Sequence, residues 1–160
     1  MPAPLGFRHP AMLIATWFGA GLLPRMPGTW GSLAALPFAW VIATVGGAWA
    51  LVAAAAVVFA LGCWAAGTYA EAAGISDPQA IVVDEVAAQW LVLAAVPLDP
   101  VWYATGFVLF RAADIFKPWP VNWIDAHVDG GVGIMLDDMA AAAYALIGLR
   151  LMRIATETAT

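Results

Sequence analysis

The sequence predicts an all-α fold, a compact membrane-embedded bundle of about five to six helices built from two helical hairpins plus terminal helices. Three observations lead there. Of the 160 residues, 64% are hydrophobic and only 11% charged, where soluble domains average about 45–50% and 25%, so a bilayer is the expected solvent. The apolar runs are rich in alanine and leucine, lack strict alternation, and keep Pro and Gly mostly at their edges, which favours helix over strand. Two pairs of runs are also joined by links too short for anything but a tight turn.

In chain order, residues 11–23 form the first apolar run, which ends in the turn-rich stretch LPRMPGTWGS. There Pro24, Pro27, Gly28 and Gly31 are turn formers, and Ser32 is placed to N-cap the next helix. Run 33–45 carries Pro37 early, near its first turn, where a missing N–H does least harm. Run 48–69 follows after Gly46 and Gly47, and it alone reaches the roughly 20 residues that span a bilayer. Runs 86–98 and 101–110 are joined through Leu98, Asp99 and Pro100, and run 139–152 closes the bundle. The chain reads as one domain, 1–160, with 1–10 and 154–160 as frayed tails.

Each hairpin returns to the face it started from, so the loops 24–32, 70–85 and 111–138 share one side. Arg25, Arg111 and Lys117 lie in them while the hairpin tips hold no Lys or Arg, so the positive-inside bias turns this side to the cytoplasm. Nine Trp suit the headgroup level. A net charge of −5 argues against a nucleic-acid partner, and no obligate protein partner is evident. The single Cys63 sits inside an apolar run and excludes an internal disulfide or a cysteine zinc site.

The charged residues crowd into VVDEV at 82–86, FRAADIFKPWP at 110–120 and GGVGIMLDDM at 130–139. Asp84, Glu85, Asp114, Asp137 and Asp138 are rare groups for such a chain, since an ionised acid near the bilayer core costs about 2.5–3.5 kcal/mol. Their excess over Arg111 and Lys117 is a charge that one or two divalent cations would neutralise. Capping explains at most one acid in each adjacent pair. Arg111 and Asp114 share a helical face, with Lys117 one turn on before Pro118 stops the helix. Pro118, Pro120, Trp119 and Trp123 then hold Lys117 at the depth of a lipid phosphate. Gly130, Gly131 and Gly133 permit close backbone approach ahead of the Asp pair that begins the last helix. Thr29 and Ser32 could add hydroxyls to a phosphate site, although turn formation explains that stretch as well.

Taken in order, LPRMPGTWGS, VVDE, FRAADIFKPWP and GGVGIMLDDMAA closely resemble the motifs of the phosphatidylglycerophosphatase A family over about residues 10–145. That resemblance implies a Mg2+-dependent lipid phosphatase of the bacterial inner membrane, multi-pass, converting phosphatidylglycerophosphate to phosphatidylglycerol. It also implies that the matching acids, Asp84, Glu85, Asp114, Asp137 and Asp138, are metal ligands and catalytic groups. Arg111 and Lys117, with Thr29 and Ser32 as secondary contacts, are then expected to bind the substrate phosphate. The sequence has no Cys-x5-Arg loop, no Asp-x-Asp-x-Thr motif and no paired histidines, so metal-assisted attack by water is the expected route. Two alternatives use the same carboxylate cluster: a small membrane ion carrier, which should place its acids mid-span, and a non-catalytic membrane scaffold.

Overall fold

The structure is a computed structural model describing residues 4–159. Its elements are α1 (Pro10–Ala15), a 3-10 turn (Ala20–Leu22), α2 (Pro27–Ala73), α3 (Val83–Leu93), α4 (Pro100–Phe116), α5 (Val121–His127) and α6 (Gly130–Thr158). Among the described residues there is no strand, as the absence of alternation predicts.

Helix α2 is two arms meeting at Gly47, whose φ of 73° and ψ of −173° are not helical. A straight helix would separate Gly31 from Gly62 by about 47 Å at 1.5 Å per residue. Yet a Cβ on Gly31 would lie 2.5 Å from Val82, and one on Gly62 would lie 3.4 Å from Val83. The arms, 27–46 and 48–73, therefore fold back on each other, and the Gly46–Gly47 joint is the tight turn its sequence suggests.

Helices α3 and α4 form the second hairpin. Asp99 caps α4 by accepting from the N–H groups of Val101 and Trp102. Gly106 lies against Leu93 and Val92 near this tip, while Glu85 and Arg111 meet at the other end, so the two helices are antiparallel. Helix α6 runs parallel to α3, with Leu149 reaching Gly106 at the tip end. The result gathers the starts of α2, α3 and α6, the end of α4 and the whole of α5 at one end of the bundle.

Several boundaries differ from those the sequence suggests. Run 11–23 is no span: α1 stops at Ala15, and Trp17, Phe18 and Gly19 all take positive φ. Ser32 caps nothing, because α2 begins at Pro27 behind Met26, and Pro37 consequently lies in the helix interior. Helix α6 starts at Gly130, so Asp137 and Asp138 sit about two turns inside it. It continues to Thr158 through most of the tail segment 154–160, with Thr160 outside the described residues, as are residues 1–3 at the other end.

Glycine explains the early start of α6. A Cβ at Gly131 would stand 1.9 Å from the Cys63 carbonyl oxygen, so α6 and the second arm of α2 touch backbone to backbone. The close backbone approach that these glycines permit is thus a helix crossing. Helices α2 and α6 are long and apolar enough to cross a membrane. Outward-facing Val41, Val45, Trp49, Val108 and Leu151 are each more than half exposed.

Candidate active site

At the end where α2, α3 and α6 begin, one cleft is lined by Gly28, Asp77, Asp84, Glu85, Arg111, Asp114, Lys117, Asp137 and Asp138. All five acids and both cations that stand out in the sequence therefore share it. Asp84 and Glu85 occupy the first turn of α3, where the helix dipole favours negative charge. Neither caps the helix: the capping position is Val82, without a side-chain bond. Asp137 and Asp138 do not cap α6 either, since that position is Asp129.

Within the cleft the acids divide by partner. One oxygen each from Asp84, Glu85 and Asp138 lies within 4.8 Å of the others. Asp84 Oδ1, Glu85 Oε2 and Asp138 Oδ2 are buried without any hydrogen-bond partner. An orphaned buried polar group costs about 1–3 kcal/mol, more if charged, a cost that a cation held by these three residues would offset. Oxygen-only donors of this kind suit a hard divalent cation such as Mg2+, and the residues present fit one.

Asp114 and Asp137 instead hold the two cations. Arg111 donates to Asp114 in a close contact and lies 3.7 Å from Glu85 Oε1. Lys117 donates to Asp125 at 2.8 Å and to Asp137 at 3.0 Å. Lys117 takes φ 43° as the left-handed cap of α4, which turns its side chain back over the cleft before Pro118. Asp137 also accepts from the Asp138 N–H at 2.9 Å, tying the pair together.

The electrostatics outside the two long helices follow this arrangement. Burial, then the neighbouring Glu85 charge, raises the Asp84 carboxyl well above the usual range. Burial lifts Glu85 to about 8, opposed by its bond with Asp84 and by Arg111 and reinforced by Asp138 and Asp114. Helix α3 has 11 residues and is too short to cross a bilayer. Burial pulls the Lys117 ammonium down, but its bonds to Asp125 and Asp137 outweigh that and raise it overall.

Thr29 and Ser32 do not line the cleft. Thr29 is half-buried, and Ser32 is fully buried with its hydroxyl unpartnered; their stretch contributes Met26, Pro27 and Gly28 instead. Gly28 matters for a reason beyond turn formation: a Cβ there would sit 2.2 Å from Glu85 Oε1 and 3.1 Å from Arg111 Nη1. Nothing in the sequence distinguishes that glycine from its neighbours. Asp125, on α5 between Lys117 and α6, is a direct partner of Lys117. His127 faces Trp123, stacked at 4.8 Å, and His9 caps α1.

The profile of the family described as Phosphatidylglycerophosphatase A matches residues 13–153. The chain is 42% identical over 139 residues to an Escherichia coli (strain K12) protein named phosphatidylglycerophosphatase A, covering 86% of this chain and 80% of that one. It is 39% identical over 140 residues to a Haemophilus influenzae protein of the same name, covering 87% and 86%. No solved structure matches.

Proposed function

Because the chain belongs to the phosphatidylglycerophosphatase A family and is a phosphatase, we propose that it hydrolyses phosphatidylglycerophosphate to phosphatidylglycerol and phosphate, using Mg2+, at the cytoplasmic face of the bacterial inner membrane. One observation carries the reading: Asp84, Glu85 and Asp138, each with a buried unpartnered carboxylate oxygen, bring carboxylate oxygens within 4.8 Å of one another in a cleft that also holds Arg111 and Lys117. Asp84, Glu85 and Asp138 would hold the ion. When bound, Mg2+ supplies positive charge against the phosphoryl oxygens of the substrate.

The chain's own groups do the rest. Arg111 and Lys117 grip phosphate oxygens through charge-assisted hydrogen bonds, and Asp114 and Asp137 keep those two cations aimed at the cleft. A carboxylate of the cluster accepts the proton of the attacking water. The new P–O bond forms as the bond to the glycerol oxygen breaks, and that oxygen takes up a proton to leave as the hydroxyl of phosphatidylglycerol. The apolar outer surface supports a membrane setting in which the acyl chains stay beside the helices. Arg25, Arg111 and Lys117 at the cleft end support a cytoplasmic orientation by the positive-inside bias.

The acids lie at helix ends or about two turns from them, which is unlike the mid-span placement of an ion carrier. The deciding experiment incubates the purified protein in mixed micelles with phosphatidylglycerophosphate, with Mg2+ or with a chelator. Phosphate release that depends on Mg2+ and is lost in Asp84→Asn and Asp138→Asn is expected. Release undiminished in both variants would remove the proposed centre.

A further inference from the structure

Besides the polar cleft, the bundle carries an apolar groove lined by Val52, Ala55, Ala56, Phe59, Leu91 and Met139. It lies between the second arm of α2, α3 and α6, so two of its walls are the helices that carry Asp84, Glu85 and Asp138. Met139 directly follows Asp138. Leu91 is seven residues beyond Asp84, two turns along the same face of α3. The α2 wall has a direction as well. Gly62, one turn beyond Phe59, lies against Val83 and Met135 at the acid end, so the groove begins near the acids at Phe59 and leads away from them to Val52. That run is about 10 Å long. Ala55 and Ala56 keep the groove open by leaving space that a larger residue would fill.

Two other apolar grooves lack this relation to the cleft. One lies between Pro100–Leu109 of α4 and Met152 near the far end of α6, and the other lies on the first arm of α2 around Pro37 and Val41. Neither approaches the acid cluster along α3.

Resting on the lipid-phosphatase reading, we propose that the Val52–Phe59 groove seats one acyl chain of the substrate phospholipid while its phosphate enters the cleft. In a bilayer the surrounding lipid is as apolar as the groove, so the chain gains little from burial alone. What the groove supplies is orientation: a chain lying along α3 and α6 fixes the approach of its headgroup to Asp84 and Asp138. Misplacement of a reacting group by about 1 Å can cost 100-fold in rate, so partial loss of this guidance should be visible.

The test fills the groove without touching the acids. Ala56 is exposed, so Ala56→Phe adds bulk on the outer surface without overpacking the core. Purified Ala56→Phe in mixed micelles should lose about tenfold in kcat/KM with dioleoyl phosphatidylglycerophosphate and keep the wild-type value with the dihexanoyl form, whose chains are too short to follow the groove. Ala104→Phe, in the groove on α4, should change neither. Equal values for Ala56→Phe and wild type on the long-chain substrate, or equal losses on both substrates, would overturn the proposal. A second readout does not need turnover. A phosphatidylglycerophosphate carrying a photoreactive diazirine on one acyl chain should label Phe59 or Met139 under chelator and fail to do so in Ala56→Phe. Labelling at Phe59 or Met139 in a protein that releases no phosphate would retain the groove and reject the phosphatase reading, whereas turnover without such labelling would do the reverse.

Discussion

Gly28→Ala is the most discriminating single change. The new methyl would stand 2.2 Å from Glu85 Oε1 and 3.1 Å and 3.2 Å from the Arg111 nitrogens, while carbon and oxygen atoms that are not bonded settle near 3.3–3.6 Å. Glu85 must therefore move by about 1 Å. It has little room, being only 9% exposed between Arg111, Asp84 and Asp138. A displacement of that size at a reacting centre can cost about 100-fold in rate, equivalent to about 2.7 kcal/mol of barrier. The fold itself loses nothing comparable. Gly28 sits in the first turn of α2 and no positive φ marks it, so alanine is at least as good a helix former there, by up to about 1 kcal/mol. The expected result is phosphate release from phosphatidylglycerophosphate micelles down about 100-fold, with a thermal midpoint by circular dichroism equal to or above wild type. Wild-type turnover in Gly28→Ala would show that Glu85 and Arg111 need not be held where the structure has them. A loss of folding stability of about 2.7 kcal/mol, equal to the loss in barrier, would show that Gly28 serves folding, not the site.

Three further outcomes follow from other parts of the molecule. Mg2+ binding to the Asp84, Glu85 and Asp138 set should stabilise the protein by about 2.7 kcal/mol at 100 times its Kd. That is a rise in thermal midpoint of about 5–10 °C, which a chelator reverses and which the combined Asp84→Asn, Glu85→Gln, Asp138→Asn variant lacks. Lys117→Ala removes a charge-assisted contact to phosphate of about 1.5–3 kcal/mol, so steady-state kinetics should show kcat/KM lower by about 10–100-fold; an unchanged value would exclude Lys117 from substrate binding. Gly131→Ala places a methyl 1.9 Å from the Cys63 carbonyl oxygen, a backbone atom that cannot rotate away. It should destabilise the bundle by about 1–3 kcal/mol or more, read as an earlier unfolding midpoint, and a midpoint equal to wild type would mean that α2 and α6 cross elsewhere.

What the sequence makes legible here are the features that depend on local chemistry. Gly46–Gly47 and Asp99–Pro100 specify tight turns through backbone conformations that few other residues offer, and both turns are where they should be. Lys117 ahead of Pro118 marks the end of α4 for the same reason. The meeting of Asp84, Asp114 and Asp138 is foreshadowed because isolated acids in so apolar a chain need partners. What stays hidden is whatever depends on the facing helix. Gly130, Gly131 and Gly133 read as a loop because glycine disfavours helix in isolation, and only the close approach of Cys63 and Gly67 reveals why helix wins. The same holds for Gly28, whose role is defined by Glu85, 57 positions away. Ser32 reads as a cap because serine caps helices, but Pro27 starts the helix five residues earlier and turns that hydroxyl inward. The break at Trp17, Phe18 and Gly19 has only Gly19 to announce it, and two aromatic residues with positive φ are not something that propensity predicts.

Between Arg25 and Glu71 the chain contains no Asp, Glu, Lys or Arg, and Gly47 folds that stretch near its middle. Two arms entering a bilayer side by side satisfy their backbone hydrogen bonds internally. They drag no ionised group through the hydrocarbon, where each would cost about 2.5–3.5 kcal/mol. A hairpin of this composition would meet a bilayer's demands as one unit. The acid-bearing helices α3 and α6 follow it in the chain and pack against it.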